Sequence, residues 1–288
     1  MMRKERTGKP TSLVRRPIPE IFVINQQGGS IMKTTTPIWS TALFTLILVG
    51  LLVPGGLLAK NYEDKKVEFT ETFPIADCNF LTTGSNPYFK LIEGRELHYD
   101  NMQCFNDGEC DELEQLVITV LPDLEPISFG YTDMQGNPVN INLMARVVEE
   151  FETADGEEVE TSRNFFAECE ATQDVYYFGE DVVVADGSNP GQWKAGVDDA
   201  LPGIIFPGGA FLLGARYFQE IAPNAEALDR AEHVEMGQEI TVPAGTFQNC
   251  VSIDETTPLD KHELSEKDYC YDVGLVTDGD LELVNIIP

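Results

Sequence analysis

Beyond residue 60, apolar residues come in short runs separated by Gly, Pro, Asn and Asp, and in many runs they alternate with polar ones. A period of two puts successive side chains on opposite faces of an extended chain, so the pattern predicts strands. Residues 116–121 form a dense β-branched run and predict a buried strand. Residues 127–131 and 139–143 alternate cleanly around a Gly-Asn-Pro loop, which predicts a hairpin. A stronger hairpin signal lies at Asp155-Gly156, between the runs 145–152 and 158–166, because both residue types tolerate the positive φ of a tight turn. Glu96, Leu97, His98 and Tyr99 predict a short strand, and residues 175–178 and 181–184 two more around Gly179. Residues 100–114 predict a polar loop. Helix signals are sparse. Asn224 as an N-cap predicts two helical turns over residues 224–231. Strands at short, even intervals favour an all-β fold, an antiparallel barrel or sandwich of short strands, over any alternation of strands and helices.

The N-terminus differs. Residues 38–58 are strongly apolar, follow Met32-Lys33, and end at Ala59 before the charged stretch beginning at Lys60. A basic start, an apolar stretch and a small residue at its end predict a secretory signal over residues 32–59, with a signal helix. Residues 1–31 show no apolar period and predict a non-native or disordered leader, leaving residues 60–288 as one β-rich domain. Retention of the segment as an anchor is the alternative, since its uncharged run is long enough to span a bilayer. It would be the chain's contact with a membrane.

The chain carries 49 acids and 19 bases, a net charge of −30. Residues 1–59 hold seven of those bases and two of those acids, so the exported part is more acidic still. Such a surface repels phosphate backbones, which excludes nucleic acid as a partner class. The acid has two readings, a solvated surface and cation binding.

All six cysteines (Cys78, Cys104, Cys110, Cys169, Cys250 and Cys270) follow the apolar segment. An even count in an exported chain predicts disulfides, with 15 connectivities open. Cys104 and Cys110 enclose a turn-rich loop. Cys250 and Cys270 sit on successive strand-like runs and suit a cross-strand bridge. Cys78 and Cys169 then pair by elimination. Secretion or a periplasmic location is the expectation.

Several blocks, taken in order, carry a resemblance. They are Asn86-Pro87-Tyr88-Phe89, Tyr177-Phe178-Gly179-Glu180-Asp181, Val242-Pro243-Ala244-Gly245-Thr246-Phe247, Asn249-Cys250 and Val273-Gly274-Leu275-Val276. With them the chain resembles, over residues 85–276, a family of secreted bacterial β-rich proteins of unknown function. The resemblance implies secretion and a β-rich fold, and no activity. The chain departs from the family's pattern after Phe89. It departs again at Cys270, where the family usually has an alanine-like residue, and an extra disulfide to Cys250 fits that change.

Enzyme chemistry finds little to work with. No Gly-x-Ser-x-Gly elbow or phosphate-cradling loop occurs in residues 60–288. His98, His233 and His262 are the candidate bases, and the last two sit among charges. Glu180 and Asp181 are adjacent, so on a strand they point to opposite faces. No catalytic residue is therefore assigned, and a secreted hydrolase is the alternative to a binding or structural protein. The absence of Cys-x-x-Cys argues against zinc. Calcium is the one possible cofactor, at the acidic loop carrying Asp100, Asp107 and Asp111. Clustered aromatics make Tyr177, Trp193 and Tyr217 candidate ligand-binding residues, with core packing as the competing role.

Overall fold

A computed structural model describes residues 68–133, 136–185 and 187–288. The predicted signal and leader lie outside them. Fifteen strands form one antiparallel sheet, in the order β10 (Glu220–Ile221), β8 (Leu201–Phe206), β6 (Val175–Val184), β5 (Glu157–Cys169), β4 (Pro138–Ala154), β3 (Glu114–Thr132), β2 (Glu96–Asp100), β15 (Leu281–Ile287), β14 (Gly274–Asp278), β13 (Ser265–Cys270), β12 (Gly245–Thr256), β11 (Arg230–Val242) and β9 (Arg216–Phe218), with β1 (Phe80–Leu81) and β7 (Trp193–Lys194) as short additions on β5 and β6. The sheet curls into a nearly closed barrel. At the seam, β9 (Arg216–Phe218) pairs with β11 (Arg230–Val242), and two residues later β10 (Glu220–Ile221) pairs with β8 (Leu201–Phe206). One short stretch thus joins both edges of the sheet, which removes the exposed edges an open sheet would leave. Gly203 of β8 permits this approach, because a Cβ there would overlap the backbone of Phe218 and Gln219.

The Asp155-Gly156 turn forms as predicted, with φ of 51° and 81°, and it joins β4 (Pro138–Ala154) to β5 (Glu157–Cys169). The runs at 116–121 and 127–131 are one strand, β3 (Glu114–Thr132), with an irregularity between Val120 and Leu124. β3 is 19 residues long, because a break in the ladder lets a strand turn a corner without ending. β2 (Glu96–Asp100) lies between β3 and β15 (Leu281–Ile287), so the C-terminal strand closes against the start of the domain.

Two local expectations fail. Residues 224–231 are not helical: Ala222 and Ala227 form an isolated bridge around a turn in which Glu226 has φ of 60°. Arg230 and Ala231 are drawn into pairing with both β9 and β12 (Gly245–Thr256), and that sheet pairing overrides the helix signal. The polar loop 100–114 contains a short helix, α1 (Met102–Asp107), ended by Gly108 at φ 74°.

The three disulfides are Cys78–Cys169, Cys104–Cys110 and Cys250–Cys270, and no cysteine is free among the described residues. The first ties the N-terminal segment to the end of β5. There Phe73 and Phe80 pack edge-on against Tyr176 of β6 (Val175–Val184), building an aromatic layer on the outer face of the sheet.

Candidate functional site

Neighbouring strands line their inward residues up in rows across the barrel wall. One row runs Leu97, Ile118, Glu150, Ser162, Val182. The next runs Tyr99, Leu116, Glu152, Glu160, Val184. A third runs Val120, Val148, Asn164, Glu180. From the other side of the wall, Ile253 of β12 faces Lys267 of β13 (Ser265–Cys270), which faces Asp278 of β14 (Gly274–Asp278). Carboxylic acids therefore stand in the same rows as core aliphatics, inside the barrel.

The segment containing Asn86-Pro87-Tyr88-Phe89 plugs this interior. Fully buried Asn86 donates through Nδ2 to the carbonyls of Gln173 (2.9 Å) and Pro207 (3.2 Å), and its Oδ1 accepts from the backbone N–H of Tyr88 and Phe89. Buried Glu168 accepts from the N–H of Ser85 and of Asn86 at 2.9 and 2.8 Å. Gly84 leaves room for that carboxylate, which a Cβ would overlap. On the solvent side, Lys90 pairs with Asp272 at 2.6 Å, and the Asp272 N–H donates to the Pro87 carbonyl.

Beneath the plug lies a cavity of about 100 Å³. Its wall is largely apolar, with Leu97, Ile118, Val148, Phe166 and Leu275 among the lining residues, and it also carries Arg95, Glu150, Lys267 and Asp278. Lys267 Nζ sits between Glu255 (2.9 Å) and Asp278 (3.2 Å). Burial acts to lower its pKa, but those two carboxylates hold it well above the usual lysine value, so it stays charged. Arg95 donates to the Val273 carbonyl at 2.6 Å. The Glu150 carboxylate accepts no hydrogen bond from any described residue, and burial and neighbouring charge are what set its state. Burial pushes its pKa up to about 7; Lys267 works against that shift, while Glu152, Asp278 and Glu180 add to it.

Further acids share the interior. Burial raises Glu180 to about 7, against a hydrogen bond from Tyr177 (2.9 Å) that lowers it and with Glu160 and Asp229 adding to the rise. Asp229, which is exposed, stands at about 6 through partial desolvation and the nearby Glu255 and Glu263. Glu220 is well above the normal range through burial, Asp229 and Glu180. The interior potential is thus negative, with Lys267 the charge that most offsets it.

The three aromatic candidates are core residues. The rings of Tyr177 and Trp193 meet edge-on at 5.2 Å, while Tyr217 sits elsewhere, its hydroxyl 3.1 Å from His233 Nε2. None of the three lines the cavity. Trp193 borders a separate hollow of about 120 Å³, and its indole N–H has no partner among the described residues. His233 is buried, stacked on Phe211 at 3.9 Å and bonded through Nδ1 to the Leu212 carbonyl, whereas His262 is exposed. The charge-flanked sequence around His233 suggests a solvated position; the strand period instead turns His233 inward and Glu232 outward, and a register break after His233 turns Glu235 outward as well.

Of the calcium candidates, Asp100 caps the N–H of Met102 at 3.1 Å, Asp107 lines an open acidic groove, and Asp111 is exposed. Among the described residues, the group of donor atoms within metal-binding reach of one another is Cys104, Cys110 and Asp280, and its two sulfurs are spent on a disulfide. That group offers one oxygen, whereas calcium takes six to eight. Sequence reasoning missed Glu150, Lys267 and Asp278. The signal was present: Glu150 and Glu152 are in phase with Val148 at a period of two.

No family model, curated protein or solved structure matches the chain.

Proposed function

We propose that this protein is exported and acts outside the cytoplasm as a binding protein, taking a small molecule into the plugged interior of its barrel. The observation that carries the reading is the cavity itself: recessed beneath the plug, mostly apolar, and bearing in Glu150 a carboxylate that the described residues leave without a hydrogen-bond donor. Ligand sites have this composition, apolar walls with a few polar groups that fix orientation. Three disulfides fit an oxidising compartment. The apolar stretch before Lys60 and the resemblance to secreted β-rich proteins support export.

Mass spectrometry of the product recovered from outside the cytoplasm tests the first half. The expected chain begins near Lys60 and shows no reactive thiol until it is reduced. Six free thiols in a cytoplasmic product would overturn export. Native mass spectrometry before and after mild denaturation tests the second half, by looking for a co-purifying small molecule.

A further inference from the structure

Glu150 poses a chemical problem that the protein does not solve. Lys267, the cation whose charge acts on Glu150, is held by Glu255 at 2.9 Å and Asp278 at 3.2 Å. Arg95, the other cation on the wall, is committed to the Val273 carbonyl at 2.6 Å. Glu150 is half-buried on the cavity wall, and a carboxylate held there without a partner resolves either by protonation or by gaining one. Metal ions are poor partners here, because no three carboxylate, imidazole or thiol donors converge around Glu150 among the described residues. An anion would meet Glu152, Glu180 and Asp278 as well as the net charge of the whole chain. What fits is an N–H donor carrying positive charge, with a hydrocarbon body for the aliphatic wall and for Phe166 and Tyr269, whose ring faces also favour a cation.

We propose that the cavity binds a small organic ammonium ion, with its nitrogen on the Glu150 carboxylate and a short alkyl chain against the apolar wall. The proposal rests on the binding reading above and specifies its ligand class. A cavity of about 100 Å³ suits an alkylamine of about five heavy atoms, given that an apolar cavity of about 150 Å³ admits benzene. Binding stabilises the ionised carboxylate, so uptake of the ammonium releases a proton from Glu150. The groups around Glu150 are Lys267, Asp278, Glu152 and Glu180, with the hydroxyls of Tyr99, Tyr177 and Tyr269, all raised above the usual tyrosine value and so neutral where the carboxyls titrate. Lys267 stays charged, and further ionisation of the acids deepens the negative potential, so they act in the same direction.

The test is calorimetric titration of the full disulfide-bonded chain with three isosteric probes: n-butylammonium, 1-butanol and butyrate. Butylammonium should bind tightest, and its affinity should rise roughly tenfold between pH 6 and pH 8, as a carboxyl centred near 7 ionises. Glu150→Gln should lose at least tenfold in butylammonium affinity, lose the pH dependence, and leave butanol binding unchanged. If that variant fails to fold, the pH series on the unaltered protein decides. Butyrate binding as tightly as butylammonium, or a butylammonium affinity that ignores pH, overturns the ligand class but leaves a binding cavity in place. Failure of all three probes overturns the cavity's binding role along with this inference.

Discussion

His233 is one of three histidines in the chain, and its environment fixes its tautomer. Nδ1 lies 3.1 Å from the Leu212 carbonyl, so it carries the proton, and Nε2 accepts from the Tyr217 hydroxyl. Burial lowers its pKa to about 4, with the Leu212 carbonyl pulling the other way. An NMR titration should show one histidine silent down to about pH 5, and Tyr217→Phe should raise its value by removing the donor to Nε2. A His233 signal titrating near 6.5 would remove the buried-neutral assignment. Asn86 makes a second residue-scale case. Its side chain serves two carbonyls and two N–H groups at once. Asn86→Ala should therefore cost about 3 kcal/mol in urea unfolding, since several buried groups lose their partners together. Neither role was legible in the sequence. A buried asparagine and a surface asparagine are spelled alike, and what separates them are contacts with Gln173 and Pro207, 87 and 121 residues away.

At the scale of elements, local chemistry was legible where it acts alone. Asp155-Gly156 needs only its own backbone freedom to make a hairpin, and the alternation in β3 and β4 needs only the pleat. Residues 224–231 failed because their fate is set by β9 and β12, which arrive from other parts of the chain. The barrel closure at Gly203 is likewise a long-range fact. The disulfides permit a quantitative prediction at this scale. Cys104–Cys110 closes a separation of 6, whereas Cys78–Cys169 closes 91. In the chain-entropy picture their removal costs about 2 and about 4.5 kcal/mol respectively. Paired Cys→Ser variants should rank in that order by melting temperature. The Cys78/Cys169 pair should also loosen the aromatic layer around Phe80 and Tyr176, seen as lost near-ultraviolet dichroism. Equal losses from both pairs would show that the long bridge constrains little of the unfolded chain.

For the molecule as a whole, the excess of acid has a stability consequence of definite sign. Glu150 and Glu180 stand at about 7 when folded, each raised chiefly by burial, and burial also holds Glu220 well above the usual carboxylate range. A carboxyl whose folded pKa exceeds its unfolded value binds its proton more tightly in the native state. Its contribution is complete below the unfolded value near 4.3 and is lost as pH rises through 7. His233 acts in the opposite sense, because its folded value is depressed: its contribution is present above 6.5 and is lost as pH falls toward 4. Three carboxyls outweigh one imidazole. Stability should therefore rise as pH falls from 8 to about 5, by several kcal/mol in sum, and then turn down as His233 protonates. Urea unfolding from pH 4 to 8 measures this directly, and Glu180→Gln should flatten the slope between pH 6 and 8 while raising stability at pH 8. A maximum at pH 8 would mean that cations in solution, or an occupant of the cavity, already neutralise the interior. Adding butylammonium at pH 8 should then recover part of the stability that the low-pH protein gains from protons, because both relieve the same unpaired charge at Glu150.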